Sequence, residues 1–362
     1  MISSRKRLLA FILVYIVSVL YGTSYQQFRH FNINETQGLF DARSHVAMSL
    51  GRYDNATRER RYRFVVPFLA SLARKSLAPL FPAALGPEPA PAPAPGGRPP
   101  IKDELELINL SFYIVNFSFM AGAAFLLFLI LERLGFRLYL NLIGLALFLG
   151  SRIAVLSAAT PMVDSVYFFA IALISYLTIT DRLILLALLN PLIILAKENI
   201  CLVMLMPFLK REKWLALSVS LVVSAALLIG VREYVSTFWA QEPSSGTVLQ
   251  EIMHVVMVRL GYAWPSFQGL FTARGLLALS SGFSFFLVFA AAGFWSNWKN
   301  RKYQIPHYLL VLIPISLFYC VLAPGYGRMF FATYVVVIPY ALVFIERVVS
   351  RFEAREPEPG TR

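Results

Sequence analysis

Charge is scarce in this chain of 362 residues: Asp, Glu, Lys and Arg make up only 15% of it, against about 25% in an ordinary soluble domain. Cysteine is scarcer still. Cys201 and Cys320 are the only two, and both sit inside apolar runs, so no disulfide framework is implied. Acidic residues number 20 against 33 Lys and Arg, a formal net charge of +13. No small-residue cleavage site separates the apolar run at 8–21 from Tyr25-Gln26-Gln27, so the stretch after Arg5-Lys6-Arg7 reads as a retained span rather than a signal peptide. What is present instead is apolar mass, 58% of all residues, with a mean hydropathy of +0.64. That excess must face lipid. A soluble enzyme, a disordered chain and a secreted disulfide scaffold are excluded.

A hydrocarbon core of about 30 Å takes roughly 20 helical residues. Apolar runs fall at 8–21, 108–131, 138–156, 166–180, 183–196, 200–209, 214–231, 276–294, 308–323 and 329–345. The fold class expected is an all-α polytopic membrane protein, one integral membrane domain over 1–362 with about ten transmembrane helices. The region 183–209 reads as two short helices meeting at Lys197-Glu198-Asn199. A further run, 64–81, is interrupted by Pro67, Arg74-Lys75 and Pro79, and is placed on the membrane surface because two charges at mid-depth are costly.

The basic residues supply an orientation. With ten spans and an inside N-terminus, Arg5-Lys6-Arg7, Arg133 and Arg137, Arg182, Lys210-Arg211 and Lys213, Lys299 with Arg301-Lys302, and Arg347 with Arg351 all fall on the cytoplasmic side. The positive charge is thus explained by topology, and no nucleic-acid partner is expected. Both termini are expected in the cytoplasm. An Ala/Pro/Arg-rich chain with short loops suits a bacterial inner membrane, with membrane lipids as its surroundings. Two long outer, periplasmic segments follow: 22–107, which contains the Pro/Ala-rich spacer 87–100, and 232–275, where Trp239 and Trp264 suit interfacial anchors. Within the second, 248–260 reads as a helix lying in the interface.

The first outer loop carries chemistry. Asp41, Arg43, His45, Arg52, Asp54, Arg58, Glu59, Arg60, Arg61 and Arg63 are interleaved with Phe40, Tyr53 and Tyr62. The planar arginine fork suits a lipid phosphate or pyrophosphate, while a solvated loop drawn to anionic headgroups is the plainer reading. Asp41 and His45 are four residues apart and share a helix face. Spacing leaves three readings open: a general base, a metal-ligand pair, and an Asp that caps a short surface helix.

The order of elements resembles the GT-C superfamily of polytopic membrane glycosyltransferases, which use polyprenyl-phosphate-linked sugars. The resemblance rests on Asp41 after the first span, Val46 through Gly51-Arg52-Tyr53, and Tyr62-Arg63-Phe64-Val65-Val66-Pro67-Phe68-Leu69. It continues through Leu131-Glu132-Arg133-Leu134-Gly135, Ser151-Arg152, the turn with Pro161 and Asp164, and Leu195-Ala196-Lys197-Glu198. It covers roughly residues 8–213, with Gly327-Arg328 heading the last span as a further likeness. The loop lacks an Asp-x-Asp pair, so neither a metal nor another cofactor is expected. The resemblance implies a polyprenyl-phosphate sugar donor and an acceptor that is a glycan, lipid or protein. It implies Asp41 as general base, with Arg43, Arg52, Arg61, Arg63, Lys197 and Arg328 as candidates for holding the departing phosphate. His45, Arg152, Asp164 and Glu198 are supporting candidates; Lys197 with Glu198, and Arg152 with Asp164, also fit simple structural ion pairs. The competing function is a transporter or flippase for a lipid-linked or anionic envelope precursor. Transport calls for charged groups inside the spans, and the central runs have few.

Overall fold

The computed structural model describes residues 4–31, 40–56, 58–61, 63–81, 102–239, 248–300, 302–322 and 326–353. Among them there is no strand. The first half of the chain forms α1 (Ser4–His30), α2 (Phe40–Ser49), α3 (Arg58–Arg61), α4 (Val65–Leu77), α5 (Lys102–Arg133), α6 (Leu138–Leu149), α7 (Arg152–Ala159) and α8 (Asp164–Ile179). The middle forms α9 (Leu183–Ala196), α10 (Ile200–Val203), α11 (Leu205–Phe208) and α12 (Trp214–Tyr234). The remainder comprises α13 (Val248–Leu270), α14 (Ala273–Ser280), α15 (Phe286–Asn300), α16 (Leu312–Leu322), α17 (Tyr326–Phe330) and α18 (Tyr334–Glu353).

Among the described residues four helical stretches are long and apolar enough to cross a membrane: Ser4–His30, Glu104–Arg133, Trp214–Tyr234 and Tyr326–Phe352. The pair α6 and α7 passes the same test jointly but is bent by 62°, which makes a fifth. Shorter apolar helices are Asp164–Ile179, Leu183–Ala196 and His307–Leu322. Two of the ten apolar runs are broken up. The run at 200–209 divides into α10 and α11, of four residues each. The run at 276–294 is divided between α14 and α15 by a turn in which Ser284 has φ +51°. The interrupted run at 64–81 becomes α4 and a short 3₁₀ turn, and Arg74 of α4 lies 3.7 Å from Glu104 at the start of α5. The spacer 87–100 lies outside the described residues.

The centre of the bundle is α18, with 83% of its apolar window buried, whereas α12 buries only 17%. α18 packs closely along α15, and α5 along α8. Aromatic rings fill the junction: Phe168 of α8, Phe331, Tyr334 of α18 and Phe148 of α6 interlock, and the Tyr334 hydroxyl donates to the Phe168 carbonyl at 2.8 Å. The α12 face that does not pack exposes Val219, Val222, Val223 and Ile229, a surface suited to hydrocarbon.

The bundle has two polar ends. At one, α2, α3, the head of α8, the tail of α9 and α17 meet. At the other, the tail of α5, the head of α6 and the loop before α16 meet the last turns of α18. α8 has 16 residues, so these ends stand about 24 Å apart along its axis.

Candidate functional site

Asp41 lies in the first turn of α2, where a carboxylate complements the partial positive charge of the exposed N–H groups. α2 ends in a reversal in which the Gly51 N–H bonds the Met48 carbonyl (3.0 Å) and the Arg52 N–H bonds Ala47 (2.9 Å). The chain then folds back under Asp41. Arg61, buried, donates from Nε to the Ala56 carbonyl at 3.0 Å and from Nη2 to the Asp54 carbonyl at 3.4 Å. It staples the loop to itself. The arginines on either side of it, Arg60 and Arg63, reach Asp41 and Glu198 instead.

A second wall comes from the turn between α7 and α8. Asn116 of α5, fully buried, donates to the Thr160 carbonyl at 2.7 Å and accepts from Ser165 at 2.5 Å. His45 of α2 reaches the same turn, with Nδ1 3.0 Å from the Pro161 carbonyl. A carbonyl only accepts, so Nδ1 carries the hydrogen and Nε2 is an acceptor. Nε2 is buried without a partner among the described residues. Burial, the largest influence, pushes the His45 pKa down to about 4, and the imidazole is neutral. These bonds fix where Asp164, the first residue of α8, emerges.

The third wall is the break after α9. Lys197 is extended (φ −164°, ψ 129°), which turns its side chain back across the bundle. Its Nζ lies 2.7 Å from Asp164 Oδ1 and 4.7 Å from the Tyr167 ring centroid. Both members of the pair are buried, at 3% and 5% side-chain exposure.

Arg328 of α17 completes the set. Its Nη1 is 3.3 Å from Asp164 Oδ2 and 4.0 Å from Asp41 Oδ2, while Arg60 Nη2 holds Asp41 Oδ1 at 2.5 Å. A continuous chain of opposite charges therefore runs Arg60, Asp41, Arg328, Asp164, Lys197. Beside it Arg63 grips Glu198 with Nη2 at 2.7 Å and Nε at 3.4 Å. The Glu198 carboxylate, next to Arg63, raises the pKa of the guanidinium further. For Glu198, burial favours protonation, but the Arg63 charge and hydrogen bond override it, and the carboxyl stays below its ordinary range.

Four cations thus face three carboxylates. Accessibility is graded across them. Arg60, Arg63 and Arg328 keep 24%, 20% and 33% of their side chains exposed and Asp41 21%, while Asp164 and Lys197 are sealed. An anion arriving from solvent or from the lipid boundary meets guanidiniums and two carboxylates first, Glu198 at 30% exposure and Asp41 at 21%, with a rigid ion pair behind them.

Of the residues singled out in the sequence, Asp41, Arg63, Asp164, Lys197, Glu198 and Arg328 converge here, with His45 behind them. Arg61 serves the loop backbone. Arg43 is exposed on α2 and Arg52 lies in the turn after it. Arg152 is exposed at the start of α7, and the Arg152–Asp164 pair open in the sequence does not form, since Asp164 is taken by Lys197 and Arg328. Arg60 enters the site although nothing in its spacing separates it from its arginine neighbours. Among the described residues, no three His, Cys, Asp or Glu side chains are grouped to hold a metal ion. No protein-family model matches the chain, and neither curated proteins nor solved structures show detectable similarity to it.

Proposed function

We propose that the chain is a membrane glycosyltransferase of the GT-C type, transferring a sugar from a polyprenyl-phosphate-linked donor to an acceptor on the outer face of a bacterial inner membrane. The observation that carries this reading is the meeting of Asp41 with Arg60, Arg63, Lys197 and Arg328 at one end of an apolar helical bundle. In this reading the remaining apolar helices complete about ten crossings, the cluster faces the periplasm, and both termini are cytoplasmic.

The chemistry follows from the geometry. An acceptor hydroxyl or amine attacks the anomeric carbon, its proton passes to Asp41, and the bond from that carbon to the phosphate oxygen breaks. The electron pair leaves with polyprenyl phosphate, whose charge the exposed faces of Arg63 and Arg328 stabilise. Lys197 and Asp164 hold Arg328 in position from behind. Asp41 Oδ1 is engaged by Arg60, and Oδ2, 4.0 Å from Arg328 Nη1, is the oxygen offered to the acceptor.

The test compares glycans and polyprenyl-linked sugars in cells lacking the gene, complemented with wild type or with Asp41→Asn at equal expression. Wild type is expected to restore a missing glycan, and Asp41→Asn to leave the lipid-linked sugar unused. Full complementation by Asp41→Asn removes the base assignment and moves a transporter or flippase ahead.

A further inference from the structure

The opposite end of the bundle holds a cavity of about 410 Å³ lined by Arg133, Leu134, Gly135, Arg137, Lys302, Tyr303, Gln304 and Glu346. Its size falls within the range of small-ligand sites, about 300–1,000 Å³. Positive charge at this end serves topology in any membrane protein, but topology does not require a concave, rigid setting. This setting is built. α5 closes with the Gly135 N–H bonded to the Glu132 carbonyl (3.1 Å) and the Phe136 N–H to Leu131 (3.1 Å), a reversal that needs the left-handed backbone of Gly135, φ +86°. The reversal lays Phe136 flat on Tyr303, with ring centroids 4.1 Å apart and 11° between planes. Asn297 then fixes the Tyr303 backbone with two reciprocal bonds of 3.0 Å.

The charge balance points to an anion. Among the described residues Glu346 is the only carboxylate in the lining, and its Oε2 is engaged by Lys302 at 2.8 Å and by the Tyr303 hydroxyl at 2.5 Å. Glu132 is turned away to Arg5. Arg137 feels the Glu346 charge, but among the described residues neither it nor Arg133 is tied up in an ion pair. They flank the start of α6, whose first turn has no acidic residue and no side-chain cap. Depth points to the headgroup layer: Trp295 and Trp298, both more than 60% exposed, emerge from α15 just before Lys302, as interfacial aromatics do.

We propose that Arg133 and Arg137, with Lys302 held in place by Glu346, form a second anion site that binds a phosphate group at the end of the bundle away from Asp41. A phosphodiester of an anionic phospholipid and free phosphate share this chemistry.

The full-length protein in detergent is examined by native mass spectrometry with phosphatidylglycerol and with phosphatidylcholine, and by thermal unfolding with inorganic phosphate against chloride at equal ionic strength. Wild type is expected to retain phosphatidylglycerol but not phosphatidylcholine, and Arg133→Gln/Arg137→Gln to lose it. Arg133→Lys/Arg137→Lys keeps the charges that set topology while removing the planar fork, so it remains informative if the Gln variant fails to insert. It is expected to bind about tenfold more weakly than wild type. Stabilisation by phosphate with the same dependence on both arginines, and no retained lipid, assigns the site to a soluble phosphate. If neither anion binds, or both Arg variants bind as wild type does, the proposal is overturned.

Discussion

Arg63 closes on Glu198 through two guanidinium nitrogens across 135 residues of chain. This one contact pins the first loop to the break between α9 and α10. Arg63→Lys keeps the charge and loses the fork, so the loop should loosen more than the charge count suggests. The pair is partly exposed, and its effect on global stability should be small, about 1 kcal/mol or less. Trypsin cleavage between positions 58 and 63, followed on the detergent-solubilised protein, is expected to accelerate in Arg63→Lys and in Glu198→Gln. Unchanged cleavage in both would show that other contacts hold the loop.

Asp164 and Lys197 behave differently because they are sealed from solvent. Removing one partner strands a buried charge, at a cost of about 3–5 kcal/mol. Asp164→Asn is therefore expected to lower the unfolding midpoint strongly, and Asp164→Asn/Lys197→Met to recover most of it. Glycan transfer should stay low in the double variant, since Arg328 has lost its anchor. A fully active double variant would reduce the pair to packing.

His45 predicts a pH dependence. Its folded pKa, about 4, lies below the unfolded value of about 6.5. The unfolded chain therefore binds more protons between the two. Stability from this residue is fully present above pH 6.5 and declines as the pH falls toward 4, by about 3 kcal/mol in total. His45→Asn keeps a donor for the Pro161 carbonyl and removes the titration. Its unfolding midpoint should be flatter than that of wild type between pH 6.5 and 4.

Arg328 depends on the residue before it. A Cβ on Gly327 would collide with Ser281 Oγ and the Ala278 carbonyl of α14. Gly327→Val is expected to displace α17, with a cost of about 1–3 kcal/mol from overpacking. Transfer activity should fall further than that loss explains, because Arg328 leaves both carboxylates. Gly327→Ala should show the same split more mildly. Loss of stability without a matching loss of activity would separate Arg328 from the reaction.

Composition sufficed for the helical class, because so much apolar mass with so little charge has few other outlets. The break at 197–199 was legible for a local reason: Lys197 and Glu198 interrupt an apolar run and must reach a polar end. The same logic took 64–81 to be interrupted, and it ends in α4 with Arg74 beside Glu104. Span counting fared less well. The run at 200–209 breaks at Met204, three residues before Pro207, and the run at 276–294 breaks at Ser284, just after Ser280-Ser281-Gly282, a turn signal that the surrounding apolar residues masked. Within the site, Asp41 and Arg63 stood out by residue type and by the order of their neighbours. Arg60 did not, and Arg61 stood out as a phosphate ligand whereas its guanidinium binds loop carbonyls, because one turn of loop decides which guanidinium faces Asp41 and which binds backbone.

The cluster draws its charges from the first loop, the head of α8, the tail of α9 and the start of the final long helix. A ribosome delivers Asp41 early and Arg328 near the end. Until α17 and α18 have entered the membrane, Asp164 has Lys197 but no Arg328, and Asp41 has Arg60 alone. A half-made chain therefore presents an open acidic pair where the finished protein presents a bridged one. The site is completed only at the last insertion step, so its full set of linked charges exists only once α17 is in place.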